Sequence, residues 1–244
     1  MHTAFVAGAT GLTGRHVVTT LRARAIATAA HVRSDSPRLA EWRTRFSAMG
    51  AEVDATEWNA DAIARTLATR RPSIVFGLLG TTRARAVTAS REGRDPARES
   101  YDAVDVALTE QLIAGCVSID PRPRFVYLSS IGAGDGARGA YLEARTRVER
   151  TLIASGLPYT IARPSFIVGD RDEARSSETF GAPIADGLLG MLGVFGARRT
   201  ADRYRSITGE QLAHALVHVA VDETFRDRIV EAGELQSIAR AARA

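Results

Sequence analysis

The chain has 244 residues, 45% of them hydrophobic, which is enough for one substantial core, and no run approaches the roughly 20 apolar residues of a membrane span. The net charge of +4 arises from 32 basic residues, all of them arginine, interleaved with 28 acids, a dispersal that argues against a nucleic-acid-binding block. A single cysteine permits no internal disulfide and the start lacks a basic leader before an apolar segment, so a cytoplasmic protein without a secretory signal is expected.

The first element predicted is a strand, Ala4 to Ala7, entering Gly8, Gly11 and Gly14, followed by a helix with Leu12, Val17, Val18 and Leu21 at helical spacing. Glycines admit close approach to the backbone, and a helix start offers free N–H groups and a partial positive charge, so Gly8, Thr10, Gly11, Leu12, Thr13 and Gly14 are candidates to cradle a pyrophosphate. The spacing is G-x-x-G-x-x-G, a departure from the G-x-G-x-x-G dinucleotide fingerprint. A second strand over Ala27 to Val32 delivers Arg33 at the position that reads the adenosine ribose. An acid there would suit NAD, whereas an arginine suits the 2′-phosphate of NADP, so NADP(H) is favoured over NAD(H). A helix over Arg38 to Arg45 and a short strand over Glu52 to Asp54 come next, with Asp54 a candidate for the adenine edge. Asn59 caps the following helix, and Ile74 to Leu79 is an apolar run of the kind found in parallel sheets covered on both faces. It ends in Gly80, Thr81 and Thr82, small residues that leave room for a cofactor, and Arg83, which suits a phosphate or an acidic substrate; Arg83 to Arg98 reads as a loop.

From Glu99 a long helix is predicted, with Tyr101, Val104, Leu108 and Leu112 inward and Cys116 packing at its end. The strand Phe125 to Leu128 delivers Ser129 and Ser130, and eleven residues after Ser130 comes Tyr141, opening a helix whose one face carries Tyr141, Arg145, Val148 and Leu152. If strand end and helix start converge, a serine hydroxyl holds a carbonyl oxygen while the phenol exchanges its proton. A cation one turn away favours the phenolate of a group whose ordinary pKa is about 10.

With these motifs in order, the sequence resembles the short-chain dehydrogenase/reductase superfamily, and within it the atypical NmrA-like and Tat-interacting-protein-like members, over residues 3 to 170. The resemblance implies an α/β, doubly wound parallel-sheet Rossmann fold with a small C-terminal substrate lobe, and an oxidoreductase acting on a small carbonyl or alcohol. It carries the roles of substrate-positioning serine, acid/base tyrosine and ribose-binding cation to Ser130 (or Ser129), Tyr141 and Arg145, and places Pro164, in Arg163-Pro164-Ser165, beside the nicotinamide. Where relatives have lysine this chain has arginine, and a planar fork does not occupy an ammonium's place. Two alternatives follow: a redox sensor that binds the dinucleotide and a protein partner without turnover, and an epimerase or dehydratase using the bound cofactor transiently.

After a sixth strand at Tyr159 to Ala162 the pattern breaks up. Residues 1–165 are assigned to the dinucleotide-binding core and 166–244 to a substrate lobe with a last helix and strand, all in one compact domain. Leu188 to Phe195 suits an apolar substrate pocket or lid packing, Gln211 to Val221 a helix, Arg228 to Ala232 a strand, and Ala239 to Ala244 a frayed tail. His214 and His218 lie at i and i+4 but lack a third ligand, so no metal is expected.

Overall fold

A computed structural model describes residues 2–81, 100–169 and 206–241, with single positions between 87 and 97. Thr82, Arg83 and the whole apolar stretch Leu188 to Phe195 lie outside the described residues.

The chain alternates strand and helix: β1 (Thr3–Ala7), α1 (Gly14–Ala23), β2 (Ala27–His31), α2 (Leu39–Ala48), β3 (Glu52–Asp54), α3 (Ala60–Arg70) and β4 (Ile74–Gly77). A π-helix (Tyr101–Ala107) runs directly into α4 (Leu108–Val117), followed by β5 (Arg124–Leu128), α5 (Ala140–Ala154), β6 (Tyr159–Arg163), β7 (Ile167–Val168), β8 (Ile207–Thr208), α6 (Gly209–Val221), β9 (Arg228–Glu231) and α7 (Ala232–Ala241). Seven strands form one sheet in the order β3-β2-β1-β4-β5-β6-β9, and every pairing in it is parallel. The chain builds outward from β1 to β3, then crosses back to place β4 on the other side of β1, so the order reverses between β1 and β4. This is the doubly wound Rossmann arrangement, whose crevice opens at the carboxyl ends of the strands where the order reverses.

Alternating side chains feed two cores. Ala4 and Val6 of β1 join Val17, Leu21, Trp42, Phe46 and Leu216 on one face, while Phe5 and Ala7 join Ile63, Leu67, Leu112, Val148 and Leu152 on the other. A strand buried on both faces has no polar side, which is why Ile74–Gly77 reads as an unbroken apolar run. Residues 207–241 are part of this frame: α6 packs on α1, and β9 extends the main sheet beside β6. The expected frayed tail is corrected in part, because Ala239 is buried in α7 and contributes to the core. The helix expected from Glu99 begins instead as a π-helix, with the Ser100 side chain accepting from the Ala103 amide.

Two glycines of the first turn are required by packing inside the protein. Gly8 has φ +82°, and a Cβ there would stand 2.5 Å from the Leu78 carbonyl oxygen. At Gly14, within the first turn of α1, a Cβ would overlap the Gly8 carbonyl oxygen. The helix thus starts in contact with the strand that feeds it, and β1, its turn and the end of β4 lock together. Gly14→Ala is expected to destabilise the protein by about 2 kcal/mol through overpacking, measured as a lower urea midpoint. A stabilisation, the ordinary result of Gly→Ala in a helix, would show that the close contact does not exist.

Candidate functional site

The amino end of α1 is open. Its N-cap, Thr13, makes no side-chain capping bond and the first turn contains no acid, while Gly11 N donates back to Gly8 O at 3.0 Å and tightens the turn. The helix start and its dipole therefore lie at the crevice with no side-chain cap and no first-turn acid among the described residues, the chemistry a diphosphate requires. Gly8, Thr10, Gly11, Leu12, Thr13 and Gly14 all belong to this one turn. Leu12 sits among Gly169 and Gly209, so β7 and β8 leave and rejoin the frame beside it.

At the far side of the sheet Arg33 follows β2, exposed, with its Nε 3.5 Å from Asp35. Asp54, at the end of β3, is 5% exposed and already engaged: its Oδ2 meets Arg70 Nε at 2.8 Å and its Oδ1 accepts from the Thr56 amide. Burial alone would raise this carboxyl, but the Thr56 bonds and Arg70 outweigh it and hold it below the usual carboxylate range. Beside it, His31 is buried, donates Nε2 to the Thr56 carbonyl at 2.9 Å and meets Trp58 edge-on at 4.6 Å.

The carboxyl ends of β4 and β5 carry the rest. Ser129 is buried and its hydroxyl donates to Glu149 at 2.5 Å, which commits it to the scaffold; Ser130 is half-buried and makes a long 3.3 Å contact to the Ile131 carbonyl. Glu149 also takes Arg163 Nε and Nη2, at 2.9 and 2.6 Å, so the arginine of Arg163-Pro164-Ser165 is a strut under the serine pair. Pro164 is buried and its carbonyl accepts from Ile131, tying that segment to the loop after Ser130. On α5, Tyr141 is half-buried, its ring 5.4 Å from that of Tyr101 and 5.2 Å from the Arg145 guanidinium carbon.

Arg145 is 6% exposed and lies across the strand ends. Its Nη1 donates toward the carbonyls of Leu79 and Leu128 and the Tyr127 hydroxyl at 3.0 to 3.2 Å, and its Nη2 lies 2.8 Å from Asp105. Burial works against the charge, yet the surrounding phenols and Asp105 keep the guanidinium protonated. Burial pushes the Tyr127 phenol up to about 12, so it remains a neutral partner. The structure thus brings Gly80, Thr81, Tyr141 and Arg145 together with the serine pair at the carboxyl ends of the central strands β4 and β5.

Asp105, Tyr127 and Glu149 were not singled out by the sequence. The signal for Asp105 is electrostatic: an arginine on an inward stripe demands a carboxylate, and a buried one stood among apolar residues of the preceding helix. Helical spacing placed Val104 inward, but the wider π-turn buries Asp105 and Val106 and leaves Val104 half exposed. Among the described residues no three of His, Cys, Asp and Glu gather as metal ligands, and no helix is long and apolar enough to cross a membrane.

Residues 8–186 match the family described as NAD(P)H-binding. The chain is 28% identical over 178 residues to protein fmp52, mitochondrial, of Emericella nidulans, covering 70% of this chain and 69% of that one. Among solved structures it is similar to UDP-glucose 4-epimerase of Thermotoga maritima with UDP-glucose (TM-score 0.64, 18% identity, 99% of this chain and 81% of that one). It is also similar to the UDP-glucose 4-epimerase of Thermus thermophilus in complex with NAD (TM-score 0.58, 16% identity, 98% and 83%). At those identities the structures share the fold.

His31 generates a pH dependence. Burial depresses its pKa below 6.5, more than the Thr56 carbonyl and Asp54 raise it. The unfolded chain therefore takes up a proton below about pH 6.5 that the folded chain refuses, and stability falls as pH drops through that window until the folded-state pKa is reached. His31→Gln, which keeps a donor for Thr56, is expected to flatten this part of the curve in urea melts from pH 8 to pH 5. His16, also lowered by burial first, adds to the slope in the same direction. An unchanged slope in the variant would mean that His31 takes up its proton as readily in the folded protein as in the unfolded chain.

Proposed function

Since the chain belongs to the NAD(P)H-binding family, we propose that it is an NADP(H)-dependent oxidoreductase of the short-chain dehydrogenase type, acting on a small carbonyl or alcohol. One observation supports the reading: α1 starts uncapped after β1, beside the point where the sheet order reverses, and the Tyr141–Arg145 face of α5 meets the ends of the adjoining strands β4 and β5.

The turn Gly8 to Gly14 holds the diphosphate, Arg33 the 2′-phosphate and Asp54 borders the adenine. Gly80 and Thr81 wall the nicotinamide end, with Tyr141, Arg145 and Pro164 around it. A bound nicotinamide supplies or accepts the hydride. Ser130 donates its hydroxyl to the substrate oxygen; Tyr141 gives that oxygen a proton in reduction and takes it back in oxidation. Arg145 keeps a positive charge beside the phenol ring. With its one cysteine buried, the chain suits a reducing compartment, and we read the cytoplasm.

A second reading rests on the same arginine. Its fork is bound to Asp105 and to backbone carbonyls, which favours a protein that senses NADP(H) and signals to a protein partner without turnover.

Calorimetry with NADPH and NADH, followed by NADPH oxidation across a panel of carbonyls that includes a nucleotide-sugar, tests the proposal. Tyr141→Phe is expected to lower kcat by about 10²-fold or more while NADPH affinity stays within about threefold. Bound NADPH without turnover by the wild-type protein would transfer the site to the sensor reading.

Arg33→Asp is expected to weaken NADPH about tenfold, through the loss of a charge-assisted contact, and NADH far less. Equal losses for the two nucleotides would remove the preference for NADP(H).

A further inference from the structure

We propose that Asp105 is a positioning residue of the dinucleotide site, its two carboxylate oxygens tying the Arg145 guanidinium and the Thr81 amide together so that the turn after β4 is fixed against the helix bearing Tyr141. The inference rests on the dinucleotide reading of that site.

Asp105 has no exposed surface. Its Oδ1 lies 2.8 Å from Arg145 Nη2 and its Oδ2 accepts from the Thr81 amide at 2.9 Å. The remaining reach of the guanidinium goes to Leu79, Leu128 and Tyr127, so one side chain from α5 and one from the π-helix bind the ends of β4 and β5 into a unit. Gly80 makes the geometry possible. A Cβ there would stand 2.7 Å from Arg145 Nη2 and 3.6 Å from Asp105 Oδ1, so the glycine leaves the planar fork room under the turn as it lies.

Stability alone is a poor reason for this arrangement, because a buried ion pair replaced by apolar side chains of similar volume is often neutral or stabilising. Placement explains it better. Asp105 lies in Tyr101–Ala107, a segment wound as a π-helix, a distortion frequent at functional sites. The same segment presents Tyr101 to the ring of Tyr141. The pair thus connects three pieces of the site: the turn at Gly80 and Thr81, the tyrosine helix, and the aromatic wall beside it.

Asp105→Asn tests this without changing volume. Both neighbours are donors, whereas an amide offers one oxygen and one NH₂ group, so whichever way it turns one of the two contacts is lost. In the ligand-free variant the Thr81 amide is expected to exchange about tenfold faster by NMR, and in calorimetry the NADPH Kd to rise about tenfold. Core amides such as Val75 and Phe125 should keep their protection. All three results together support positioning. Unchanged Thr81 exchange, unchanged NADPH affinity, or core amides that speed up as much as Thr81 would each overturn it.

Should Asp105→Asn not fold, Arg145→Lys retains the charge opposite Asp105 but cannot also span both strand ends. It is expected to weaken NADPH and to lower kcat more than it raises KM, and wild-type affinity in that variant would overturn the proposal. If the wild-type protein binds neither nucleotide, the dinucleotide reading falls on its own, and Thr81 exchange in the ligand-free proteins still decides whether Asp105 holds the turn.

Discussion

A guanidinium taken out of water must be neutralised and its donors occupied, and the centre of this protein is arranged around that demand. Arg145 projects from α5 into the space between β4 and β5, where the strands end at the Leu79 and Leu128 carbonyls. Those carbonyls accept its hydrogens, the Tyr127 phenol takes another contact, and Asp105 balances the charge. The partners come from three places, the end of β4, β5 and the π-helix, so docking α5, finishing β4 and β5 and winding the π-helix are one event energetically. Partial satisfaction would leave a charge or a carbonyl stranded, which is why such a network fixes a single arrangement of its neighbours.

A second network repeats the logic one strand further out. Glu149, one turn beyond Arg145 on the same helix, is clamped by Arg163 from β6 and by Ser129 from the end of β5. Together the two arginines make α5 a bracket across three strand ends, holding the serine pair and the tyrosine in fixed relation while the open start of α1 lies across the crevice. Rigidity on this side matters, because a proton transfer loses efficiency steeply when donor and acceptor drift apart by an ångström.

The frame was legible because its cause is periodicity. Apolar runs at Ala4–Ala7 and Ile74–Gly77, glycine at 8 and 14, and the Val17–Leu21 stripe encode buried strands and a tight turn directly in residue type. So was the inward face of α5, since Tyr141, Arg145, Val148 and Leu152 follow helical spacing. What could not be read was any feature set by a partner distant in sequence. Asp54 looks like a free acid at a strand end until Arg70, sixteen residues on, arrives beside it. Asp105 shares the helical face of Tyr101, Leu108 and Leu112, but an acid there has no visible reason to be internal until Arg145, forty residues on, meets it. The two adjacent serines are equivalent as letters; Glu149, twenty residues later, separates their roles.

The absence of lysine acquires a structural meaning at one position. An ammonium is a compact point charge, able to satisfy one carboxylate or a few carbonyls close to a single spot. The fork of Arg145 spreads its hydrogens over the Leu79 and Leu128 carbonyls, Tyr127 and Asp105, a span no lysine covers. Composition alone suggests that arginine entered every basic site indiscriminately, yet at 145 the surroundings are shaped to it: glycine at 80 clears the plane of the fork, and a fully buried carboxylate meets its outer nitrogen. Of the buried fork, Nε stays without a hydrogen-bond partner while Nη1 and Nη2 meet theirs. The near-complete set of partners around this one argues that neighbours and arginine are fitted to each other, and that the charge at the centre of the site is held for the geometry it imposes.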